Sequence, residues 1–184
     1  MNKISKILFG IGIILLSISL FLYVYYYMED IYSSKMVNKT MNELINTNDI
    51  IENDNGFDYK IIDNEEYIGY IEIPSLELFL PITNGYSYNS LKKTPALFYG
   101  SLNDNLVICG HSYKSHFGSL YKLKQKDKVN FIDVNNNKYV YEVELIEILK
   151  STDVKDMIES DFDLTLYTCT KDGKNRITIR CNRI

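Results

Sequence analysis

The chain has 184 residues, of which 46% are hydrophobic and 13% aromatic, and it carries a formal net charge of −4 at pH 7. This hydrophobic content is sufficient for a folded core, so a chain that is disordered throughout is excluded, and the length fits one small domain beside a membrane segment. The acidic balance argues against a nucleic-acid partner, which normally requires a basic surface.

The first predicted element is a membrane span at residues 7–28. These 22 residues contain no charged side chain, and the run ends in several tyrosines. About 20 apolar residues are needed to cross the hydrocarbon core of a bilayer, and tyrosines are common at its edges. Lysines precede the run and acidic residues follow it, so the positive-inside rule predicts a cytoplasmic N-terminus and an extracellular remainder. A cleaved signal peptide is the alternative, but the run is long for one and no small-residue cleavage site follows it.

Residues 1–28 therefore form the predicted cytoplasmic N-terminus and anchor, and residues 29–66 are predicted to be an extracellular stalk. The stalk contains ten acidic residues against three lysines. Short helices are predicted within residues 31–51, and the Asn-Asp-Asn-Gly sequence at 53–56 is expected to end any longer helix.

A folded domain is predicted at residues 67–184, where the sequence changes to short runs with high strand propensity. The candidate strands are 67–73, 78–80, 106–109, 128–133, 138–149, 164–169 and 176–181. Clusters of Gly, Asn and Asp separate these runs, which is typical of an all-β barrel or sandwich. Short helices are predicted around residues 90–92, 119–122 and 154–160.

The last two strands are predicted to form a hairpin through an Asp-Gly turn. If the hairpin closes symmetrically, Cys169 lies opposite Arg176 and Leu164 lies opposite Cys181. Side chains alternate along a strand, so Cys169 and Arg176 share a polar face while Cys181 belongs to the apolar face. The hairpin therefore places a thiol beside a guanidinium, and a disulfide between Cys169 and Cys181 is not expected.

The chain has two histidines, and His111 directly follows the apolar run at 106–109 and its glycine. One cysteine with a histidine far away in sequence is typical of a cysteine nucleophile and its base. The alternative is a buried cysteine that acts as a small hydrophobic residue and a histidine that ends a strand. Spacing alone leaves both interpretations open.

Four segments of this chain resemble the sortase family. Thr165-Leu166-Tyr167-Thr168-Cys169 matches the sortase signature Thr-Leu-x-Thr-Cys. Gly110-His111 and Arg176 stand where sortases place their histidine and arginine, and the segments at 69–74 and 80–82 resemble the opening strand of the family and the segment after it. The similarity covers about residues 67–184, with the histidine, cysteine and arginine in the family order.

The resemblance implies an all-β fold, a closed and mostly antiparallel eight-stranded sortase-type β-barrel with short helices, preceded by one transmembrane helix. It also implies a cysteine transpeptidase that cleaves a C-terminal Leu-Pro-x-Thr-Gly sorting signal between Thr and Gly. The acyl group would pass to an amine of the cell wall or of another surface protein. Such an enzyme is expected at the cell membrane, with its catalytic domain outside.

The site residues follow from the same resemblance. Cys169 would be the nucleophile, His111 the general acid and base, and Arg176 the group that binds the peptide carbonyl or the oxyanion. Thr168, next to the nucleophile, is the candidate substrate-binding residue, and a packing role is the alternative. His116 is a second candidate base, and the position of His111 after Gly110 favours His111.

No cofactor is predicted for this chain. Some sortases use calcium, and Glu159, Asp161 and Asp163 lie together shortly before the nucleophile strand. Three acidic residues in a polar loop are more often solvated than bound to a metal. Arg180 is interpreted as part of a solvated strand face, and Cys109 as a core residue.

Two other functions compete with the sortase interpretation. An L,D-transpeptidase also uses Cys, His and Arg on a β fold, but its more closely spaced Ser-His-Gly-Cys-x-Arg signature is absent from this sequence. A non-enzymatic, membrane-tethered interaction module would not require the three residues to lie together.

Overall fold

Nine strands and several short helices follow a long N-terminal helix in the computed structural model, which describes residues 2–54 and 56–184. The helices are α1 (Lys3–Asn46), α2 (Tyr88–Leu91) and α3 (Val154–Ile158), with short 3-10 helices at Pro74–Leu76 and Leu120–Lys122. The strands are β1 (Lys60–Ile62), β2 (Glu65–Ile73), β3 (Leu78–Thr83), β4 (Ala96–Tyr99), β5 (Leu106–Cys109), β6 (Lys128–Asp133), β7 (Lys138–Lys150), β8 (Leu164–Cys169) and β9 (Asn175–Arg183). Two predicted segments are described only in part. Residue 1 of the predicted N-terminus lies outside the described residues, and so does residue 55 of the sequence at 53–56 that is predicted to end a helix.

Strands β2 to β9 close into a barrel. Their order is β2-β3-β4-β5-β8-β9-β7-β6, and β6 pairs back with β2. The β3–β4 and β5–β8 pairs are parallel, and the other pairs around the barrel are antiparallel. Strand β1 extends the sheet beside the first residues of β2. The predicted closed, mostly antiparallel eight-stranded barrel is confirmed.

All seven predicted strands are present, and three of them have the predicted bounds. Sequence analysis missed β1 and β4, which are only three and four residues long. Their pairing with β2 and β5 is what makes these segments strands.

The final hairpin has the predicted register. Cys169 pairs with Arg176 and Leu164 pairs with Cys181 across the β8–β9 ladder. Cys181 is fully buried, whereas Cys169 is half-buried at the end of its strand. All three cysteines are free thiols.

The interior of the barrel is filled by large apolar side chains from most of its strands and from the loop after β5. Phe117, Phe131 and Tyr141 are among the largest of these, and none of them is exposed to solvent. Strands β2 and β6 approach each other closely at Gly69, where a Cβ atom would lie 2.0 Å from the carbonyl oxygen of Ile132. Gly69 also has a φ of +144°, so a glycine is required at this bend of the barrel.

Helix α1 is one continuous helix that includes both the predicted membrane span and the first half of the predicted stalk. Its residues 33–44 pack on the barrel and present a buried stripe with helical spacing, made of Ser33, Val37, Thr40, Met41 and Leu44. The high acidic content of residues 29–66 hides this stripe, but most of these acidic residues lie after the helix ends at Asn46. Much of the segment predicted as a stalk is therefore part of the folded unit.

The end of α1 is fastened to the barrel by both apolar and polar contacts. Leu44 packs in a small core cluster with Ile62, Tyr67 and Val134. The buried Lys60 side chain donates a hydrogen bond of 2.9 Å to the carbonyl of Leu44, which satisfies one of the free carbonyls in the last turn of the helix.

The N-terminal part of α1 makes a different surface. Its large apolar side chains between residues 4 and 28 are exposed. The helix is long and apolar enough to cross a membrane, and residues 7–28 would span about 33 Å at 1.5 Å per residue. A continuous exposed apolar surface of this length fits a single-pass membrane anchor.

We predict that Leu44→Ala destabilises the barrel although the residue belongs to the predicted stalk. Leu44 is 3% exposed, so its truncation should lower the free energy of unfolding by about 2–4 kcal/mol. The neighbouring Ile45 is 63% exposed, and Ile45→Ala should change stability by less than about 0.5 kcal/mol. Thermal unfolding of the full chain in detergent micelles, followed by near-ultraviolet circular dichroism, measures the difference. Equal melting midpoints for the two variants would show that α1 does not support the barrel.

Candidate active site

Parallel pairing of β5 with β8 brings His111 and Cys169 to one edge of the barrel. The last residue pair of these strands joins Cys109 to Tyr167. His111 and Cys169 each lie two residues beyond this pair. Because parallel strands end at the same edge of a sheet, the two residues come to the same edge of the barrel. A backbone hydrogen bond of 3.1 Å from Gly110 to Tyr167 continues the ladder toward them.

Thr168 holds these two chain segments together. Its side chain is buried, and its hydroxyl donates a hydrogen bond of 2.8 Å to the carbonyl of Gly110. Thr168 and Cys169 are neighbours in a strand, so their side chains point to opposite faces. Thr168 therefore has a packing role, since it fixes the distance between β8 and the segment that carries His111, and its contact with substrate stays a prediction.

A cavity of about 330 Å³ opens at this edge, and His111, Cys169 and Arg176 all line it. This volume lies at the lower end of the range for small-ligand sites. The apolar part of its wall is formed by side chains from α2, β4, α3 and the loop before α2, among them Tyr86, Leu91, Phe98, Val154 and Met157. The structure thus places the three predicted catalytic side chains around one pocket.

Arg176 is the second residue of β9 and lies directly opposite Cys169. Its Nη1 donates hydrogen bonds to the carbonyl of Gly173 at 3.2 Å and to the carbonyl of Asn175 at 3.0 Å. The guanidinium is therefore held against the turn that joins β8 to β9. Asp172 and Thr170 hydrogen-bond within the same turn, so the arginine is attached to an ordered loop.

The imidazole of His111 lies between aromatic rings. It stacks on Tyr113, with ring centroids 4.6 Å apart, and meets the edge of Tyr88 at 6.5 Å. Its Nε2 is buried and has no hydrogen-bond partner among residues 2–54 and 56–184. Burial lowers the pKa of His111, the carboxylate of Glu29 raises it, and the charge of Lys92 lowers it again, with a net decrease.

The backbone of Gly110 packs directly against the ring of Phe117, and this close contact fixes the start of the loop that contains His111. A Cβ atom at this position would lie 2.6 Å from the ring of Phe117, which is completely buried beneath the loop. Phe117 also donates a backbone hydrogen bond of 3.1 Å to the carbonyl of His111. Close packing thus explains why a glycine precedes His111, and the same packing restricts the position of the histidine.

His116, the second candidate base, does not line the pocket. It is completely buried between α1 and the barrel, where its Nε2 lies 2.6 Å from Oγ of Ser33 and 3.1 Å from the carbonyl oxygen of Lys93. Burial lowers the pKa of His116 to about 4, so the ring is neutral at physiological pH. This histidine links the helix to the barrel and is not placed for catalysis.

We predict that His116 makes the fold sensitive to acid. Its folded pKa of about 4 is below the unfolded value of 6.5, so its stabilisation is complete above pH 6.5 and is lost as the pH falls toward 4. The loss should amount to about 3 kcal/mol. Urea unfolding at pH 7 and pH 4 measures it, with His116→Gln as the control because glutamine does not titrate. If wild type and variant lose stability equally over this interval, His116 is not the acid-sensitive group.

Arg180 corrects one interpretation of the sequence. The sequence predicts a solvated strand face at this position, but the side chain is only 3% exposed. Its guanidinium pairs with Glu147 at 2.8 Å and donates to the carbonyls of Asp156 and Met157 and to the hydroxyl of Thr165. These bonds attach the α3 segment, which forms part of the pocket wall, to β7, β8 and β9. The burial of Arg180 has no local signal, because its partners are distant in sequence.

The two other cysteines differ from Cys169 in their surroundings. Cys109 also borders the pocket, but it is 2% exposed and its thiol donates to the carbonyl of Ala96 at 3.5 Å. Burial raises the pKa of Cys109 to about 12 and also raises the pKa of Cys181. Both thiols therefore stay protonated at neutral pH and are poor nucleophiles.

The acidic residues considered for calcium do not converge in this structure. Within residues 2–54 and 56–184, no group of three or more His, Cys, Asp or Glu side chains is arranged to hold a metal ion. Asp163 accepts a backbone hydrogen bond of 2.7 Å from Arg183. The calcium hypothesis gains no support from these residues, and the absence of a cofactor stays a prediction.

Comparisons with known proteins agree on one family. The family model described as "Sortase domain" matches residues 71–184. Among solved structures, sortase C1 from Streptococcus agalactiae is 32% identical with a TM-score of 0.59, and the match covers 67% of this chain and 70% of that one. Sortase A from Corynebacterium diphtheriae is 26% identical with a TM-score of 0.59, and the match covers 65% of this chain but only 61% of that one. Sortase C1 from Streptococcus suis is 27% identical with a TM-score of 0.57, covering 64% of this chain and 73% of that one. No curated protein matches the sequence.

Proposed function

The chain belongs to the sortase family, and from this premise we propose that it is a membrane-anchored cysteine transpeptidase. Its substrates would be surface proteins with a C-terminal sorting signal of the Leu-Pro-x-Thr-Gly type, cleaved between Thr and Gly. The acceptor would be an amine of the cell wall or of another surface protein. The observation that carries the proposal is the single pocket lined by Cys169, His111 and Arg176.

In the first half-reaction, the sulfur of Cys169 attacks the carbonyl carbon of the threonine in the sorting signal. The proton that leaves the thiol is held by His111, and the carbonyl oxygen becomes an oxyanion. When the Thr–Gly C–N bond breaks, His111 gives this proton to the departing glycine amine. The products are a thioester on Cys169 and a released C-terminal peptide.

Arg176 is proposed to bind the oxyanion. Arginine does not give up its proton in proteins, so it is unsuited to acid–base work, but its planar fork has five donors. Nη1 is bonded to the carbonyls of the turn, and the other donors of the fork would bind the carbonyl oxygen as its negative charge develops.

In the second half-reaction, an acceptor amine attacks the thioester carbon. His111 takes a proton from the amine, the C–S bond breaks, and the sulfur of Cys169 is released as the leaving group. The new amide joins the surface protein to its acceptor. His111 lines the pocket together with Cys169 and is the residue we propose for both proton transfers.

The apolar wall of the pocket is proposed to bind the Leu and Pro side chains of the signal. Tyr86, Phe98 and Met157 line this wall close to the reactive thiol. The span at residues 7–28 would hold the barrel at the outer surface of the cell membrane, where sorting signals become accessible, with the N-terminus in the cytoplasm.

Mass spectrometry of the full chain in detergent micelles tests the proposal. Incubation with a peptide that contains Leu-Pro-x-Thr-Gly should produce an adduct on Cys169 whose mass corresponds to the peptide up to its threonine. A peptide with alanine in place of the threonine and the glycine is the control. An adduct with the control alone, or with neither peptide, would refute cleavage at such a signal.

A further inference from the structure

Helix α1 makes direct polar contacts with the loop that follows His111. Beyond the predicted membrane span, one face of the helix carries Glu29, Asp30 and Ser33. Asp30 accepts hydrogen bonds from the backbone amide of Ser115 at 3.2 Å and from its hydroxyl at 2.9 Å. The Ser33 hydroxyl lies 2.6 Å from the buried ring of His116. Residues 111–118 are therefore held by the anchor helix as well as by the barrel.

Glu29 makes the contact closest to the proposed catalytic histidine. Its Oε2 accepts a hydrogen bond of 3.0 Å from the hydroxyl of Tyr113. The ring of Tyr113 stacks on His111 with an angle of 23° between the ring planes. The carboxylate therefore fixes the ring that forms one wall of the histidine site.

Glu29 is also held in place on its other side. Lys92 lies 3.6 Å from its carboxylate and 5.0 Å from the ring centroid of Tyr88, the second aromatic neighbour of His111. Tyr25, one turn earlier in α1, donates a further hydrogen bond of 3.0 Å to Glu29. The carboxylate thus joins the anchor helix to both aromatic rings that enclose the imidazole.

We propose that Glu29 of the anchor helix positions the catalytic His111 through Tyr113 and sustains its protonated form during turnover. The inference rests on the proposed function, since it assigns proton transfer to His111. It makes the membrane anchor part of the active-site support, because residue 29 directly follows the predicted span without a break in the helix.

The charges support this role. Burial would raise the pKa of Glu29, but hydrogen bonds from Tyr25 and Tyr113 and the charge of Lys92 outweigh it, so the net pKa is lowered and the group is ionised at neutral pH. Burial and the bond to Glu29 raise the pKa of Tyr113, which therefore stays a hydrogen-bond donor. A fixed negative charge near His111 opposes the effect of burial on the imidazole.

Other titratable or charged groups also surround His111, and the experiment must distinguish the effect of Glu29 on His111 from their effects. They are Tyr88 and Lys92 from α2 and the segment after it, Tyr113 and His116 from its own loop, and Lys150, Asp153, Tyr167, Cys169 and Arg176 around the pocket. Glu29 contributes a negative charge from α1, and it can be changed without altering the barrel strands.

The experiment uses Glu29→Gln and Tyr113→Phe in the full chain in detergent micelles. Glu43→Gln is the matched control on the same helix, with its carboxylate 3.7 Å from Lys39, and Tyr121→Phe is the control for an exposed tyrosine. For both test variants we expect kcat for sorting-peptide cleavage to fall roughly 10- to 100-fold while KM stays within about twofold. Both controls should behave as wild type.

The pKa of His111, measured by NMR of its Cε1 with His116→Gln to assign the signal, separates positioning from a structural role. It should fall in Glu29→Gln and stay unchanged in Glu43→Gln. The inference would be overturned if neither the pKa of His111 nor kcat changed in Glu29→Gln. It would also be overturned if kcat fell only because the variant had unfolded, as a lower melting temperature would show. If wild type cleaves no sorting peptide, the proposed function fails, and the NMR titration alone still decides whether Glu29 acts on His111.

Discussion

Cys169→Ala should abolish both peptide cleavage and transfer to an amine. Cys169 is the half-buried cysteine at the end of β8, in the pocket shared with His111 and Arg176. Without its sulfur no thioester forms, and no other side chain in the hairpin is placed to replace it. Steady-state cleavage and mass spectrometry of the acyl-enzyme measure the loss, which should reach the detection limit of both assays.

The other cysteines provide matched controls for this prediction. Cys109→Ala and Cys181→Ala should retain most of the turnover, because burial keeps both thiols protonated. Each substitution should instead lower the free energy of unfolding by about 1–3 kcal/mol, because a buried side chain is lost. Turnover that survives in Cys169→Ala and disappears in Cys109→Ala would assign the nucleophile to the other thiol of the pocket.

Arg176→Lys should be severely impaired although the positive charge is retained. Arg176 pairs with Cys169 across the β8–β9 ladder, and its guanidinium is oriented by the carbonyls of Gly173 and Asn175. A lysine at this position has no planar fork, so it cannot bond the turn and the substrate oxygen with the same geometry. The expected loss is roughly 10²–10³-fold, as for the removal of one oxyanion donor.

Single-turnover acylation with a saturating sorting peptide is the appropriate measurement, because it isolates the step in which the oxyanion forms. Arg176→Ala should be at least as slow as Arg176→Lys. The matched control is Arg183→Lys, because Arg183 is exposed. A variant of Arg180 would not serve, because this buried arginine supports the pocket wall. A rate for Arg176→Lys within a few-fold of wild type would leave Arg176 as a general source of positive potential.

Local sequence patterns were sufficient to predict most of the strands, the apolar anchor helix and the final hairpin. The strand propensity of the runs at 106–109, 128–133 and 164–169 and the turn residues beside them predicted the observed strand bounds, because both signals are local. The Asp-Gly turn predicted the register that pairs Cys169 with Arg176. The order of His111, Cys169 and Arg176 along the chain, together with the residues beside them, carried the resemblance to sortases.

Contacts between distant segments are a property of the folded molecule alone. The parallel pairing of β5 with β8 brings His111 and Cys169 to the same edge of the barrel, and nothing in either strand specifies that pairing. Packing on the barrel makes the acidic segment after residue 29 a docked helix, buries Arg180, and draws His116 into the helix interface. Pairing and burial of this kind depend on residues far apart in sequence, about which local propensity carries no information. The residue types therefore specify the chemistry available to this protein, and the closed barrel with its docked helix specifies where that chemistry is assembled.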